Sequence, residues 1–460
     1  MGLWSIIVKS FKEPTIRKKI FMTLLLILIF RIGCFIPVPG IGQNALEGLT
    51  GTGLGQFWDL LTGGAMSNAS LFAMGISPYI NASIIIQLLT VAIPAFEKWQ
   101  KEGPEGRKRL SRITKYTAAG LALFQAIMLY INMKSGNVTL ARGFEGTGGT
   151  ILLFLFIVLS FVAGTSFLTW LGDKITEVGI GNGISMLIFA GIIARAPQWI
   201  GNLFQIAING GQSTDNTGAI TYVAKEWYQR TLLLFFVILI FLVVIVSVVW
   251  MESGERRLGV VYAQRVVGRK VMGGQKSYIP LKVNSAGVLP IIFAMSLLQF
   301  PGTIASLINN QSAAAQWFSN SFTNQWWYIV LYALLIIGFT FFYNMVYFDP
   351  KEYANNIIQN GGQLTEVRSS NRKATAQYIG KIQRRLTWFG SIFLAILAIL
   401  PNVLGKICDV IPGINPGSLN LWLGGTSILI MVGVALETVR TLETQLMMRH
   451  YKAGKGGFLG

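Results

Sequence analysis

Leu232-Leu-Leu-Phe-Phe-Val-Ile-Leu-Ile-Phe-Leu-Val-Val-Ile-Val-Ser-Val-Val249 carries no charge and one hydroxyl in 18 residues. As a helix it rises ~1.5 Å per residue, about enough for a hydrocarbon core of ~30 Å. Ile151–Thr169 repeats the pattern. Of the 460 residues, 52% are hydrophobic and only 12% charged, where a soluble domain carries roughly 25%. The chain therefore reads as a polytopic membrane protein. Its spans are helices, because a helix satisfies its own backbone polar groups in lipid.

Ten spans are expected near 20–38, 70–93, 114–133, 150–172, 181–200, 231–250, 285–308, 326–348, 386–404 and 423–441. Met1–Lys19 is basic and Ile20–Phe30 apolar, as in a signal peptide. Arg31 and Pro37-Val-Pro-Gly follow in place of a small-x-small cleavage site, so this run is expected to be a retained first span. The two cysteines, Cys34 and Cys408, lie in or beside apolar runs and read as packing residues.

Lys and Arg alternate in density from one connection to the next. The set comprising both termini and every second connection holds 31 of the 38, the other set six, and Arg31 lies within a span. Both termini are therefore expected in the cytoplasm. Expected cytoplasmic segments net +18 and outer ones zero. Seven cations fall within Arg256–Lys282 and seven within Lys351–Arg385. Such a surplus attracts anionic lipid headgroups, ribosomal RNA or an acidic protein face. The expected organisation is a tail (1–19), a half of five spans (20–200), an external loop (201–230), a second half (231–441) with cytoplasmic loops at 251–284 and 349–385, and a tail (442–460). Five is odd, so the halves enter from opposite sides, which permits an inverted repeat.

Two connections have character of their own. Gly40–Asn68 has no Lys or Arg and is rich in glycine. Within it Leu54–Leu61, with Gln56, Phe57, Trp58, Leu60 and Leu61, suits a short apolar helix. Two placements remain open: re-entry into a cavity, or anchoring at the interface through Phe57 and Trp58. The stretch Leu258-Gly-Val-Val-Tyr-Ala-Gln-Arg-Val-Val, followed by Gly268-Arg-Lys and Gly273-Gly, reads as a hairpin with Arg265, Arg269 and Lys270 at its tip.

Catalytic patterns do not emerge. The only histidine is His450, and there is no metal-ligand cluster, no nucleophile–base arrangement and no nucleotide-binding glycine loop; no cofactor and no enzyme activity are expected. Arg31 either lines a water-filled cavity, snorkels, or pairs with a backbone carbonyl. Ile76, Ile80 and Ile84 form one helical stripe, which is packing or lipid-facing unless it forms an apolar constriction.

Eight segments, in order, resemble the SecY family of preprotein-conducting channels. They are Phe30-Arg-Ile-Gly, Pro37-Val-Pro-Gly, Phe72-Ala-Met-Gly-Ile-Ser-Pro-Tyr-Ile-Asn-Ala-Ser-Ile-Ile-Ile-Gln-Leu-Leu, Glu102-Gly-Pro-Glu-Gly-Arg-Lys, Thr169-Trp-Leu-Gly-Asp-Lys-Ile-Thr, Gly179-Ile-Gly-Asn-Gly-Ile-Ser, Leu281-Lys-Val-Asn-Ser-Ala-Gly-Val-Leu-Pro and Leu423-Gly-Gly-Thr-Ser-Ile-Leu-Ile. The resemblance implies an all-α fold of ten transmembrane helices in two pseudo-symmetric inverted halves. It implies a pore ring of Ile76, Ile80, Ile184, Ile188, Ile292 and Ile430, and a plug helix over 53–67. It implies a lateral gate between the second/third and seventh/eighth helices, with Gln87 and Asn284 among its polar members. The basic loops become docking sites for a translating ribosome or the motor ATPase SecA, through Arg256, Arg257, Arg265, Arg269, Lys270, Arg368, Arg372 and Lys373. SecE and SecG are the implied partner subunits, unfolded preproteins the substrate, and the plasma membrane the location. The family's turn around Arg368 is rich in Pro and Gly; here it reads Leu364-Thr-Glu-Val-Arg-Ser-Ser-Asn, and a less rigid turn is expected. The competing readings are a secondary transporter, which needs ionisable groups at depth, and a ribosome-recruiting scaffold, which needs no pore.

Overall fold

The computed structural model describes residues 3–42, 59–135, 147–209, 212–214, 220–222, 227–262, 265–267, 270–272, 276–308, 325–367, 371–410 and 425–456. Thirteen named helices follow in chain order among them: α1 (Leu3–Lys12), α2 (Pro14–Gly33), α3 (Ser77–Ala92), α4 (Pro94–Lys101), α5 (Pro104–Ser135), α6 (Thr147–Val178), α7 (Gly183–Asn209), α8 (Trp227–Ser253), α9 (Leu289–Ile308), α10 (Trp326–Tyr347), α11 (Pro350–Gln359), α12 (Arg372–Val410) and α13 (Gly425–Gly456). Each of the ten expected spans overlaps one of them: α2, α3, α5 to α10, α12 and α13; among the described residues five helices are long and apolar enough by themselves to cross a membrane, or six if the bent pair α3 and α4 is one span. The chain is an all-α polytopic membrane protein.

Several helices run past their apolar segment. α12 has 39 residues, about 58 Å at 1.5 Å per residue, nearly twice a hydrocarbon core. Its first turns, Arg372 to Arg385, stand outside the apolar run. α5 likewise opens on Pro-Glu-Gly-Arg-Lys-Arg. The stretch read as a loop over 349–385 is therefore largely helical. α7 continues to Asn209 and α8 starts at Trp227, so only part of 201–230 is a connection; it holds a hairpin of β1 (Gln212–Thr214) and β2 (Ile220–Tyr222).

Several hydroxyls inside the apolar helices bond to the carbonyl one turn back: Thr90 to Ile86 at 2.7 Å, Thr165 to Phe161 at 3.1 Å, Thr340 to Ile336 at 2.7 Å. This satisfies them without a partner helix. The chain turns by 101° between α3 and α4. Ile93 precedes Pro94 and is extended, φ −110° and ψ 115°, because the proline ring disfavours a helical residue before it.

Three apolar cores organise the molecule. One lies wholly in the first half, joining Ala122, Ala126 and Met133 of α5 to Ile157, Val158 and Phe161 of α6. A second lies in the other half, joining α8, α9, α10, α12 and α13 through Val248, Ile291, Tyr332, Leu394 and Ile428. The third draws on both halves, from Phe30 of α2 to Ile430 and Val434 of α13.

At one end, β3 (Glu255–Tyr262) pairs antiparallel with β6 (Lys276–Lys282), and beyond them β4 (Arg265–Val267) pairs with β5 (Lys270–Met272). This is the expected hairpin. The unexpected partner is β7 (Gly362–Leu364), from the other basic stretch, which adds to the far edge of β3 with Val260 opposite Leu364. Alternate residues Leu258 and Val260 point into a small core with Ala354, Ile357, Leu364 and Ile379. The two basic stretches thus form one unit with its own apolar centre. Ile16, Ile180, Leu442 and Leu446 pack together, and Lys115 pairs with Asp173 at 2.5 Å. The ends of α2, α5, α6 and α13 that carry basic residues are brought together in this way.

Candidate functional site

The six isoleucines come from four elements and converge. Ile76 caps α3 and Ile80 lies one turn in; Ile184 and Ile188 are on α7, Ile292 on α9 and Ile430 on α13. Ile76, Ile80, Ile188, Ile292 and Ile430 are buried members of the shared core, and Ile184 packs against it half-buried. The same core includes Leu60, Leu61 and Ala65 from the glycine-rich connection. These side chains are aliphatic and present no hydrogen-bonding group to one another or to a neighbour.

Of the expected plug range 53–67, residues 59–67 are described; 53–58, with Gln56, Phe57 and Trp58, lie outside the described residues. Residues 59–61 close a helical turn. The chain then doubles back, and its neck is closed by Val38 N–H donating to Ala69 O (3.0 Å) and Leu71 N–H to Ile36 O (3.0 Å). The segment is buried, which favours re-entry over an interfacial position for these residues. Arg31 resolves to the backbone-pairing alternative: Nη1 donates to Gly63 O at 2.9 Å, and the guanidinium lies 5.2 Å from the Phe35 ring centre. Gly63 has φ +66°, and a Cβ there would meet Arg31 Nη1 at 2.6 Å and Gly191 Cα at 3.0 Å. A side chain here would be strained by the backbone conformation and crowd Gly191, so glycine suits this approach of loop to helix.

Gln87 and Asn284 each bond within their own half. Gln87 Nε2 donates weakly to Ser83 Oγ at 3.4 Å. Asn284 Nδ2 donates to Glu252 Oε1 at 2.7 Å and to Gly287 O at 3.3 Å. Gln87 Oε1, Asn284 Oδ1, Asn81 Oδ1 and Ser296 Oγ are buried without a partner. α3 packs extensively on α5 but only slightly on α9. The entry to α9 is fixed to its own half at a second point. Gln383 Nε2 donates to Ser285 Oγ (3.3 Å) and Asn344 Oδ1 (2.9 Å), and Asn344 Nδ2 to Thr387 Oγ1 (2.5 Å). No sequence signal beyond polar residues within apolar runs marked this network.

On the basic unit, Arg256 and Arg257 are exposed on β3. Arg257 Nε donates to Glu255 Oε1 at 2.8 Å and its guanidinium lies 4.9 Å from the Tyr278 ring centre; the hydrogen bond pushes its pKa up. Arg265 and Lys270 are on β4 and β5 at the tip. Arg372 and Lys373 are exposed in the first turn of α12, where Asn371 Oδ1 accepts from Lys373 N–H at 3.1 Å. Arg269 and Arg368 lie outside the described residues. The approach to Arg368 is held firmly: Thr365 N–H donates to Gly259 O (3.0 Å) and Val367 N–H to Leu364 O (3.2 Å). The residues of the turn itself, 368–370, fall outside the described set.

Residues 70–439 match the SecY protein family. The protein translocase subunit SecY of Thermotoga maritima is 37% identical over 459 residues, covering 98% of this chain and 97% of the relative. That of Bacillus subtilis is 40% identical over 439 residues, covering 95% and 96%. In fold, the chain is similar to a solved protein-conducting channel, with TM-score 0.58 and 18% identity over 94% of this chain and 93% of the other. It is also similar to Sec61 from a canine ribosome–channel complex, with TM-score 0.55 and 18% identity over the same shares. A family match over residues 70–439, joined to relatives 37–40% identical over nearly the whole length, leads to one conclusion: this chain is a member of the SecY family.

Proposed function

We propose that this chain is the channel subunit of a preprotein translocase, passing unfolded chains across the plasma membrane and releasing apolar segments sideways into lipid. The observation that carries the reading is the convergence of six isoleucines from both halves into one core, with the 59–67 segment seated on it. The isoleucines act as the seal around a moving chain, and the seated segment as part of the plug. The thin seam of α3 and α5 against α9 and α10 acts as the lateral gate. Both termini and the basic unit face the cytoplasm.

The basic unit is the docking face for a translating ribosome or the SecA motor, with anionic lipid as a further contact. Arg372 and Lys373 support this assignment electrostatically. They occupy a helix N-terminus with no acidic residue in its first turn, where the helix dipole disfavours each cation by roughly 0.3–1 kcal/mol. A surface built for stability alone would place carboxylates there. SecE and SecG complete the channel, and energy comes from the docked partner and the membrane potential, with no chemistry by this chain. The test is ion conductance of membranes carrying Ile80→Gly/Ile188→Gly. The pore reading predicts a standing leak that wild type lacks; unchanged conductance overturns it.

A further inference from the structure

Arg195 is a cation inside α7, more than two turns from either end, and has no role so far. Ionisable groups within membrane helices are costly and mark function, with a specific partner. Arg195 pairs with Asp59, their side chains 23% and 11% exposed. Arg195 Nη2 also donates to Ser67 Oγ at 2.8 Å, and Nη1 to Gln198 Oε1 at 2.5 Å. The other carboxylate oxygen of Asp59 accepts from Ser67 N–H at 2.8 Å. One guanidinium thus grips both ends of the 59–67 turn. The stripe that carries it is continuous: Ile184, Ile188, Gly191 and Arg195 follow at intervals of four, three and four, on one helical face. Gly191 lies against Leu61 and Gly63, and Arg195 is about 10 Å further along the axis than Ile188.

We propose that Arg195 and Asp59 are the positioning residues of a latch that seats the 59–67 segment above the isoleucine collar and sets the threshold for its release. This rests on the plug reading above. The pair joins two bodies that separate when the segment leaves. Both groups keep some exposure, so water takes over as their partner once the segment moves into the outer funnel, and the latch reopens and recloses. With only one partner present, the seated state holds a poorly solvated, unpaired charge and the segment leaves more readily.

The native Cys34 reports the event. It is 1% exposed, and its Sγ lies 3.6 Å from Thr62 O, beneath the seated segment. In membranes carrying the assembled channel, with Cys408→Ser as background, labelling of Cys34 is timed with a membrane-impermeant maleimide added from the outer side. Arg195→Gln and Asp59→Asn are each expected to speed labelling about tenfold, the factor that about 1.4 kcal/mol confers. The exchanged pair Asp59→Arg/Arg195→Asp is expected to return the rate toward wild type, which loss of folding would not do. Deletion of 53–67, read by ion conductance, separates the two readings. A leak on deletion with single variants that label at the wild-type rate, or fast labelling that the exchanged pair does not rescue, overturns the latch and leaves the plug. No leak on deletion overturns the plug reading, and the latch with it.

Discussion

Gln87→Leu probes the gate through a single polar atom. In the structure Gln87 Oε1 is buried without a partner, and its amide makes only a 3.4 Å contact with Ser83 on the same helix. An unsatisfied buried acceptor costs about 1–3 kcal/mol. That penalty applies while the seam is shut and is relieved when opening admits water or headgroups. Leucine removes the penalty, so the shut state gains about 1–3 kcal/mol, a factor of about 5 to 150 in the gate equilibrium. A segment leaving sideways must offset this with its own apolar burial, at about 0.8 kcal/mol per methylene. One Ala→Leu change in the segment adds three carbons, about 2 kcal/mol. The assay is membrane integration of test segments with a graded number of leucines among alanines. The variant is expected to shift the half-integration point by about one leucine toward more apolar segments. An unchanged midpoint, or a shift the other way, at normal protein levels refutes the assignment of Gln87 to a seam that opens.

Charge reversal at Arg372 and Lys373 tests the docking face. The double Glu variant is expected to bind ribosomes or the motor at least about tenfold more weakly at low salt, with a shallower salt dependence, while inserting normally; equal affinity at low and moderate salt removes these residues from the face. Leu364→Ala tests whether the two basic stretches fold as one unit. Leu364 is 3% exposed in the small core beneath the sheet, so its truncation is expected to cost about 2–5 kcal/mol locally. Limited proteolysis should then cut within 360–371 first, with the transmembrane helices intact; unchanged cleavage would mean that β7 contributes no stability to the unit.

The spans were legible because charge and apolarity segregate cleanly along the chain, as in Leu232–Val249. Their ends were less so. α12 extends through Arg372 to Arg385, where helix formation continues in water on local propensity and on packing of Ile379 under the sheet. The hairpin over 255–282 was visible in its β-branched residues and glycines. The pairing of β7 with β3 was not, since it joins residues about a hundred positions apart and β7 is only three residues long. Of the six isoleucines, only Ile76 and Ile80 stood out in the sequence, as a stripe with Ile84; the other four came from the resemblance, and in the structure five of the six are buried members of one large core with Ile184 packed against it. Arg195 was counted only as an outer-segment charge. Its spacing from Ile184, Ile188 and Gly191 was present in the sequence, but Asp59 lies 136 positions away, and periodicity within one helix does not reveal a partner on another element.

The central claim is that a translocating chain passes through the isoleucine waist. The direct measurement places a photoreactive residue at position 188, on α7 in the shared core, and irradiates membranes that hold a stalled secretory chain. A crosslink from position 188 to that chain, formed only when the chain is stalled, is the predicted result. Crosslinks from the basic unit alone, with none from position 188, would contradict the account and leave a protein that docks the machinery without conducting its product.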